Sequence, residues 1–179
     1  MYGMVNQAIK TMVIEKFDSE TWNDICNSLD ISNGDFDPFE QHIDELTLDL
    51  VGTICNKLEV TADKLLESFG EYWISYAMNS EYKSILVSIR VSPIGLINSL
   101  DALHTRLELI FDNLEPPSFH TTRVSDNEVI VHYNSTRDMP LEFFVKGLLL
   151  GIFKLFNQNC DVELLADAGG DKARLKVRF

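Results

Sequence analysis

Basic residues are scarce in this chain. Its 179 residues hold 15 Lys and Arg against 28 Asp and Glu, for a formal net charge of −13. Phosphate backbones and anionic bilayer surfaces repel such a chain, which argues against a general nucleic-acid binder and against an electrostatic membrane-surface role. Cysteine is also sparse: Cys26, Cys55 and Cys160 make an odd number with no C-x-x-C spacing. That fits reduced thiols in the cytoplasm better than a secreted disulfide framework. Long apolar runs are missing, since the stretch over 143–156 is broken by Lys146 and Lys154 and is too short for a bilayer. Met1–Lys10 lacks the basic start and apolar run of a secretion signal. Nor is there a G-x-S-x-G, a G-x-x-x-x-G-K-[ST], an H-E-x-x-H or a Gly-rich dinucleotide loop. Nothing here requires an enzyme.

What is present suffices for a packed core. Hydrophobic residues make up 45% of the chain, the globular average, and the length suits one domain of about 100–200 residues. The acidity is concentrated: residues 1–112 carry a net −12 and residues 113–179 only −1. A solvated helical surface accounts for this; so does a surface that attracts a basic partner.

The hydrophobic period divides the chain in two. Val5, Ile9, Met12 and Val13 recur at helical spacing, and Asp18-Ser19 offers a stop and a new N-cap. Trp22, Ile25, Cys26 and Leu29 mark a second helix, 30–40 a loop, and Leu46, Leu50, Ile54 and Leu58 a third helix. Thr61 caps a helix through Leu65, Leu66, Phe69, Trp73 and Tyr76, with Gly70 inside it. Simple tolerance, helix–helix packing or close approach of another group would each explain that glycine. Pro93 opens a long helix carrying Ile97, Leu100, Leu103, Leu107 and Phe111, ended by Glu115-Pro116-Pro117. Strands are predicted at 119–123 and 129–133, a strongly apolar helix at 141–157, and a closing hairpin of 162–165 with 173–179. Helices followed by β-β-α-β-β make an α+β fold with an antiparallel sheet.

Two features could carry chemistry. His104 sits within the apolar stripe formed by residues 97, 100, 104, 107 and 111. It reads either as a core histidine satisfied by a hydrogen bond or as the single axial ligand of a haem. No second His, Cys or Asp stands at i+3 or i+4 to build a zinc site. The remaining histidines, His42, His120 and His132, show no such pattern. In Tyr133-Asn-Ser-Thr-Arg137, strand spacing turns Tyr133, Ser135 and Arg137 to one side. A phenol, a hydroxyl and a guanidinium fork on one face could hold one or two carboxylates; ordinary strand-end polarity is the other reading.

In order, these pieces resemble the H-NOX family, haem-based nitric oxide and oxygen sensing domains related to the sensory domain of soluble guanylate cyclase. The resemblance runs from Met1-Tyr-Gly-Met-Val-Asn through Phe69-Gly-Glu-Tyr-Trp73, Leu103-His104, Pro116-Pro117 and the Y-x-S-x-R signature at 133–137, to Gly147-Leu-Leu-Leu-Gly151. It implies one haem-binding sensor domain over 1–179. A helical distal subdomain would cover about 1–60 and a proximal part with a four-stranded sheet about 61–179, with haem b between them. His104 would be the proximal iron ligand, and Tyr133, Ser135 and Arg137 would bind the propionates. Val5 and Pro117 would press on the porphyrin.

The resemblance also sets expectations for the ligand. Oxygen-binding members carry a distal tyrosine three residues before the glycine of the last helix. Here that position is Phe144, with Glu142 and Phe143 as neighbours if the alignment slips, and Phe144 offers no donor. Trp73 could supply an indole N–H or simply pack. Only Cys160 lies where some relatives hold zinc through cysteines, so no zinc is expected. The resemblance thus implies a cytoplasmic sensor of NO, with CO and O₂ as other gas ligands, acting on a histidine kinase or a cyclic-di-nucleotide enzyme. In the mechanism it implies, NO weakens the iron–His104 bond and the haem relaxes against Val5 and Pro117. An oxygen sensor or carrier of the same fold and a haem-free interaction module are the rival readings. A haem peroxidase would need a distal acid–base pair that the sequence does not offer.

Overall fold

The computed structural model describes residues 1–32, 34–80, 83 and 92–179. Asn33, part of the loop predicted at 30–40, lies outside the described residues. The chain groups into two compact units, Met1–Leu65 and Leu66–Phe179.

The first unit holds α1 (Gly3–Lys16), α2 (Ser19–Ser28) and α3 (Asp44–Leu58). Asp18 caps α2 as its sequence position predicts, accepting the Thr21 N–H at 2.7 Å, and that bond holds its carboxyl below the usual range. Ala8, Ile9, Met12 and Val13 of α1 are buried, as are Trp22 and Ile25 of α2 and Leu50 and Ile54 of α3. One buried polar contact crosses this apolar set: the Thr47 hydroxyl donates to Asn6 Oδ1 at 2.8 Å. The amino terminus is tied down by Asp44 Oδ1 and the His42 carbonyl, both at 2.6 Å.

Helix α4 (Ala62–Asn79) starts where Thr61 accepts the Lys64 N–H. The second unit continues with α5 (Pro93–Asn98), α6 (Leu100–Leu107), β1 (Ser118–Ser125), β2 (Glu128–Asn134), α7 (Glu142–Leu155), β3 (Asp161–Leu164) and β4 (Ala173–Arg178). The four strands pair antiparallel in the order β1-β2-β4-β3, so the connection from β2 through α7 skips over β4 to the sheet edge. Strand alternation buries Phe119, Val129, Val131, Tyr133, Ala173, Leu175 and Val177 on one face. That face packs with Leu96, Ile97, Leu100 and Leu103 and with Val145, Leu148, Leu149, Ile152 and Phe153 in one core. The α+β class with a four-stranded antiparallel sheet is as the sequence predicts.

One helix differs. The long helix expected from Pro93 is two short ones, broken at Ser99, and it ends at Leu107 rather than near Glu115. The Ser99 hydroxyl donates to the Gly95 carbonyl at 2.7 Å, a back-bond that competes with the helical ladder. Phe111 is buried in the following turn instead of extending the stripe.

Gly70 has a packing explanation. A Cβ there would meet the Phe144 carbonyl oxygen at 2.0 Å, and one on Gly147 would meet the Glu67 carbonyl oxygen at 1.9 Å. Helices α4 and α7 therefore touch backbone to backbone, with Lys146–Glu67 (2.9 Å) and Lys154–Glu71 (2.6 Å) ion pairs alongside. Gly147→Ala is expected to destabilise the fold by about 1–3 kcal/mol in urea denaturation, the usual cost of overpacking. Gly52→Ala, on an open helical position with nothing within 4 Å, is expected to stabilise it by about 0.5–1 kcal/mol.

Candidate functional site

His104 lies on α6, half-buried, with Nδ1 3.0 Å from the Pro117 carbonyl oxygen. A carbonyl only accepts, so Nδ1 carries the proton and Nε2 is the lone-pair nitrogen. Burial holds the imidazole below its ordinary pKa, against the opposing pull of the Pro117 carbonyl, Asp101 and Glu108. The ring is therefore neutral at pH 7, the form that ligates a metal.

Both histidine readings meet in this residue: it is satisfied by a hydrogen bond and still presents a free ligand atom. Its helix and the preceding α5 are also stapled to β1, α5 through Asn98 and α6 through Asp101. The Thr121 hydroxyl donates to Asn98 Oδ1 at 2.8 Å, and the Phe119 N–H donates to Asp101 Oδ1 at 2.8 Å. Asn98, Asp101 and His104 thus meet residues 121, 119 and 117 in turn. No apolar pattern marks Asn98 and Asp101, and their partners lie 23 and 18 residues away in sequence, so the sequence reading missed them.

Tyr133 lies on the inner face of the sheet, buried, opposite Phe119 with ring centroids 5.5 Å apart. Phe119 in turn lies 6.3 Å from the His104 ring. Burial pushes the Tyr133 phenol up, while a hydrogen bond with Ser135 and the charge of Arg137 work the other way and Glu142 adds to the rise. The phenol stays protonated and can donate.

Strand β2 reaches one residue past the predicted 129–133 and stops at Asn134, so Ser135 and Arg137 lie outside it. Ser135–Arg137 form a bend in which the Arg137 N–H donates to Ser135 Oγ at 3.2 Å. Alternation of exposure nonetheless persists: Ser135 and Arg137 are half-buried, and Thr136 is exposed. Thr136 donates to Glu115 Oε2 at 3.3 Å, which ties the bend to the segment leading to Pro117. His104, Pro117, Tyr133, Ser135 and Arg137 are in this way linked through direct contacts and short chain segments.

Trp73 and Phe144 belong to a second cluster. Phe69 and Trp73 on α4 and Phe144 on α7 set their rings 5.4–6.3 Å apart. Of Glu142, Phe143 and Phe144, it is Phe144 that joins this trio, next to the close approach at Gly70. Val5 stands half-buried on α1 of the first unit. The cysteines are thiols: burial raises Cys26 and Cys55, and with the help of Asp161 it pushes Cys160 up to about 11.

Comparison with known proteins identifies the family. The haem-NO-binding family profile matches residues 2–164. Soluble guanylate cyclase gcy-34 of Caenorhabditis elegans is 27% identical over 168 residues, covering 92% of this chain and 24% of that protein. Rattus norvegicus guanylate cyclase soluble subunit beta-2 is 31% identical over 94 residues, covering 52% of this chain and 14% of that protein. The chain thus spans about a quarter or less of the length of these curated relatives. Among solved structures, an H-NOX protein from S. oneidensis in the Fe(II)NO ligation state superposes with a TM-score of 0.84 at 16% identity, covering 99% of this chain and 97% of that one. An Fe(II) unliganded H-NOX mutant from K. algicida gives 0.83 at 22% identity, with 99% and 96% covered. No helix among the described residues is long and apolar enough to cross a membrane. With the profile covering nearly the whole chain, the protein belongs to the haem-NO-binding family of haem-based gas-sensing domains.

Proposed function

We propose that the chain is a single sensor domain that binds haem b through His104 and responds to nitric oxide. The observation that carries this reading is the His104–Pro117 hydrogen bond, which leaves a neutral imidazole with one lone pair in a desolvated setting. The rest of the donor set fits the same group. A guanidinium, a hydroxyl and a protonated phenol suit two carboxylates, and Phe119 and the rings on α4 and α7 suit an apolar macrocycle. Pro117 and Val5 complete the proposed contacts.

When bound, the haem would supply a ferrous iron able to take a diatomic gas. The chain's own residues do the rest. His104 would hold the group through Nε2 while its Nδ1–H, bonded to the Pro117 carbonyl, keeps the ring oriented. Because Asp101 and His104 of α6 bond the Phe119 N–H and the Pro117 carbonyl, displacement of α6 would reach the start of the sheet. Such a displacement biases the fold between two arrangements that a separate effector, a histidine kinase or a cyclic-di-nucleotide enzyme in the cytoplasm, could distinguish.

Three outcomes test the reading. The purified protein is expected to carry haem, with a ferrous Soret band that moves on adding CO or NO. His104→Gly is expected to lose the five-coordinate ferrous spectrum and to regain it with added imidazole. A variant that keeps the wild-type spectrum without imidazole would remove His104 as the ligand.

Arg137→Ala is expected to speed haem loss more than Ser135→Ala does. A charge-assisted bidentate contact is worth about 1.5–3 kcal/mol, and a neutral hydroxyl contact about 1 kcal/mol. Haem transfer to an acceptor protein measures both; equal rates in the variants and wild type would leave the carboxylate contacts unsupported.

The ferrous protein is expected to oxidise in air rather than hold oxygen. Oxygen gains from a distal donor roughly 1.5–3 kcal/mol, or about 10–150-fold, and Phe144 offers none. Phe144→Tyr is expected to create a stable oxygen complex, seen in the visible spectrum. An oxygen complex in wild type that disappears in Trp73→Phe would make this an oxygen sensor instead.

A further inference from the structure

The outer face of the sheet carries a polar network without a part in the chemistry above. His120 and His132 face each other across β1 and β2, with rings stacked 4.1 Å apart and 8° from parallel. A metal site does not explain the pair, because both nitrogens of His132 are already engaged. Its Nδ1 lies 2.7 Å from Asp171 Oδ2, and its Nε2 lies 3.0 Å from Thr122 Oγ1. A carboxylate only accepts, so Nδ1–H donates to Asp171, and Nε2 pairs with the Thr122 hydroxyl, which can either donate or accept. The other oxygen of Asp171 accepts from Asn134 Nδ2 at 2.7 Å. One carboxylate thus binds the residues on either side of Tyr133.

The next residue extends the grip. The Lys172 N–H donates to the Tyr133 carbonyl at 3.0 Å and lies 3.2 Å from Asn134 Oδ1, while Lys172 Nζ approaches Asp138 at 3.7 Å. Asp171 and Lys172 therefore hold residues 132–134 before the bend and Asp138 after it, bracketing Ser135–Arg137. This matters because the strand has ended. A bend outside the ladder has no β-sheet hydrogen bonds to fix where its side chains point.

The loop that does the holding is itself braced. Gly169 and Gly170 turn the chain at φ +59° and +94°. The Gly169 N–H donates to Asp167 Oδ1 at 2.8 Å, and the Asp171 N–H donates to the Ala168 carbonyl at 3.0 Å. Hydrogen bonds from His132 and then Asn134 hold the Asp171 carboxyl below the usual carboxylate range, so it is ionised and accepting at neutral pH.

We propose that Asp171 is a positioning residue for the cofactor anchor: from the loop before β4 it fixes the end of β2, so that Tyr133, Ser135 and Arg137 turn to the same side although the chain has left the strand. The proposal rests on the haem reading for what the three residues hold, and on the hydrogen bonds alone for how they are held.

The test compares Asp171→Ala, Asp171→Asn and Asn134→Ala in the full chain. Haem transfer to apomyoglobin, the propionate-bending bands in resonance Raman spectra, and hydrogen–deuterium exchange of residues 134–138 in the haem-free protein are the readouts. Asp171→Ala is expected to lose haem about ten-fold faster, the loss of roughly one charge-assisted contact, to shift the propionate bands, and to exchange faster at 134–138. Asp171→Asn is expected to stay close to wild type. Its carbonyl accepts from Asn134 while its amide donates to Nδ1, once the His132 proton moves to Nε2 and Thr122 becomes the acceptor. Asn134→Ala is expected to fall between the two.

Wild-type haem loss and exchange in Asp171→Ala would overturn the proposal. Faster exchange spread evenly over the sheet would also overturn it, by making Asp171 a general stabiliser. A wild-type chain that takes up no haem fails the haem reading by its own spectrum, and the exchange pattern of the haem-free variants still decides the clamp.

Discussion

The hydrogen bond from His104 Nδ1 to the Pro117 carbonyl ties the end of α6 to the entrance of the sheet, and the arrangement of the proposed site depends on it. It selects the tautomer, and through the tautomer it selects which nitrogen is available as a ligand. It also anchors the last turn of α6 at the point where the chain enters β1. A proline is suited to this: with no N–H of its own it cannot join the ladder as a donor, and its fixed φ aims the carbonyl. The burial that depresses the pKa of His104 completes the arrangement, because a protonated imidazole has no lone pair to offer. Aspartate at 101 works with it through the Phe119 N–H, so helix and strand are joined by backbone groups rather than by interchangeable apolar contacts. A joint of that kind has few alternative registers, and this is what allows a small displacement at one ring to be felt several residues away.

Much of this could be read from the residues, and the failures have identifiable causes. The strands, α7 and the caps at Asp18 and Thr61 follow from local chemistry, in which period, β-branching and side-chain acceptors act over a few residues. The break at Ser99 was hidden because the apolar stripe continues across it: Ile97, Leu100 and Leu103 are all buried, and a back-bonded serine leaves no trace in the hydrophobic period. Phe111 matched the stripe by spacing although the helix had ended. Gly70 was ambiguous for a different reason. Its requirement is set by Phe144 and Leu148 on another helix, which no local pattern reports.

The site was legible to the extent that its members sit on a pattern. His104 stands out as a polar residue in an apolar stripe, and the alternation of Tyr133, Ser135 and Arg137 survives as a rhythm of burial even though the strand does not reach Ser135. Asn98, Asp101 and Asp171 were not legible. Each is a hydrophilic residue on or near an exposed surface, where such residues are ordinary, and each matters through a partner distant in sequence. The Asp171 contacts span 37 and 39 residues. Sequence periodicity carries information about which face is wet and none about which wet groups meet.

The arrangement also separates two tasks under the proposed reading. The groups that would hold the cofactor come from α6 and the end of β2, and their positions depend on hydrogen bonds to backbone and to the loop before β4. The groups that would face the gas ligand, Phe69, Trp73 and Phe144, come from α4 and α7, whose spacing depends on the backbone contact at Gly70 and Gly147. Hydrogen bonds are directional and fix orientation, whereas the glycine contact fixes only distance and leaves the ring positions open to substitution. Sites that share no partner contribute nearly independently. A ring on α4 or α7 could therefore be exchanged for one bearing a donor without loosening the imidazole or the guanidinium, and gas preference would change while the polar contacts to the cofactor stay in place. The constraint runs the other way at the glycines: widening the gap between the two helices would move all three rings at once, so the freedom to vary the pocket exists only while Gly70 and Gly147 remain without side chains.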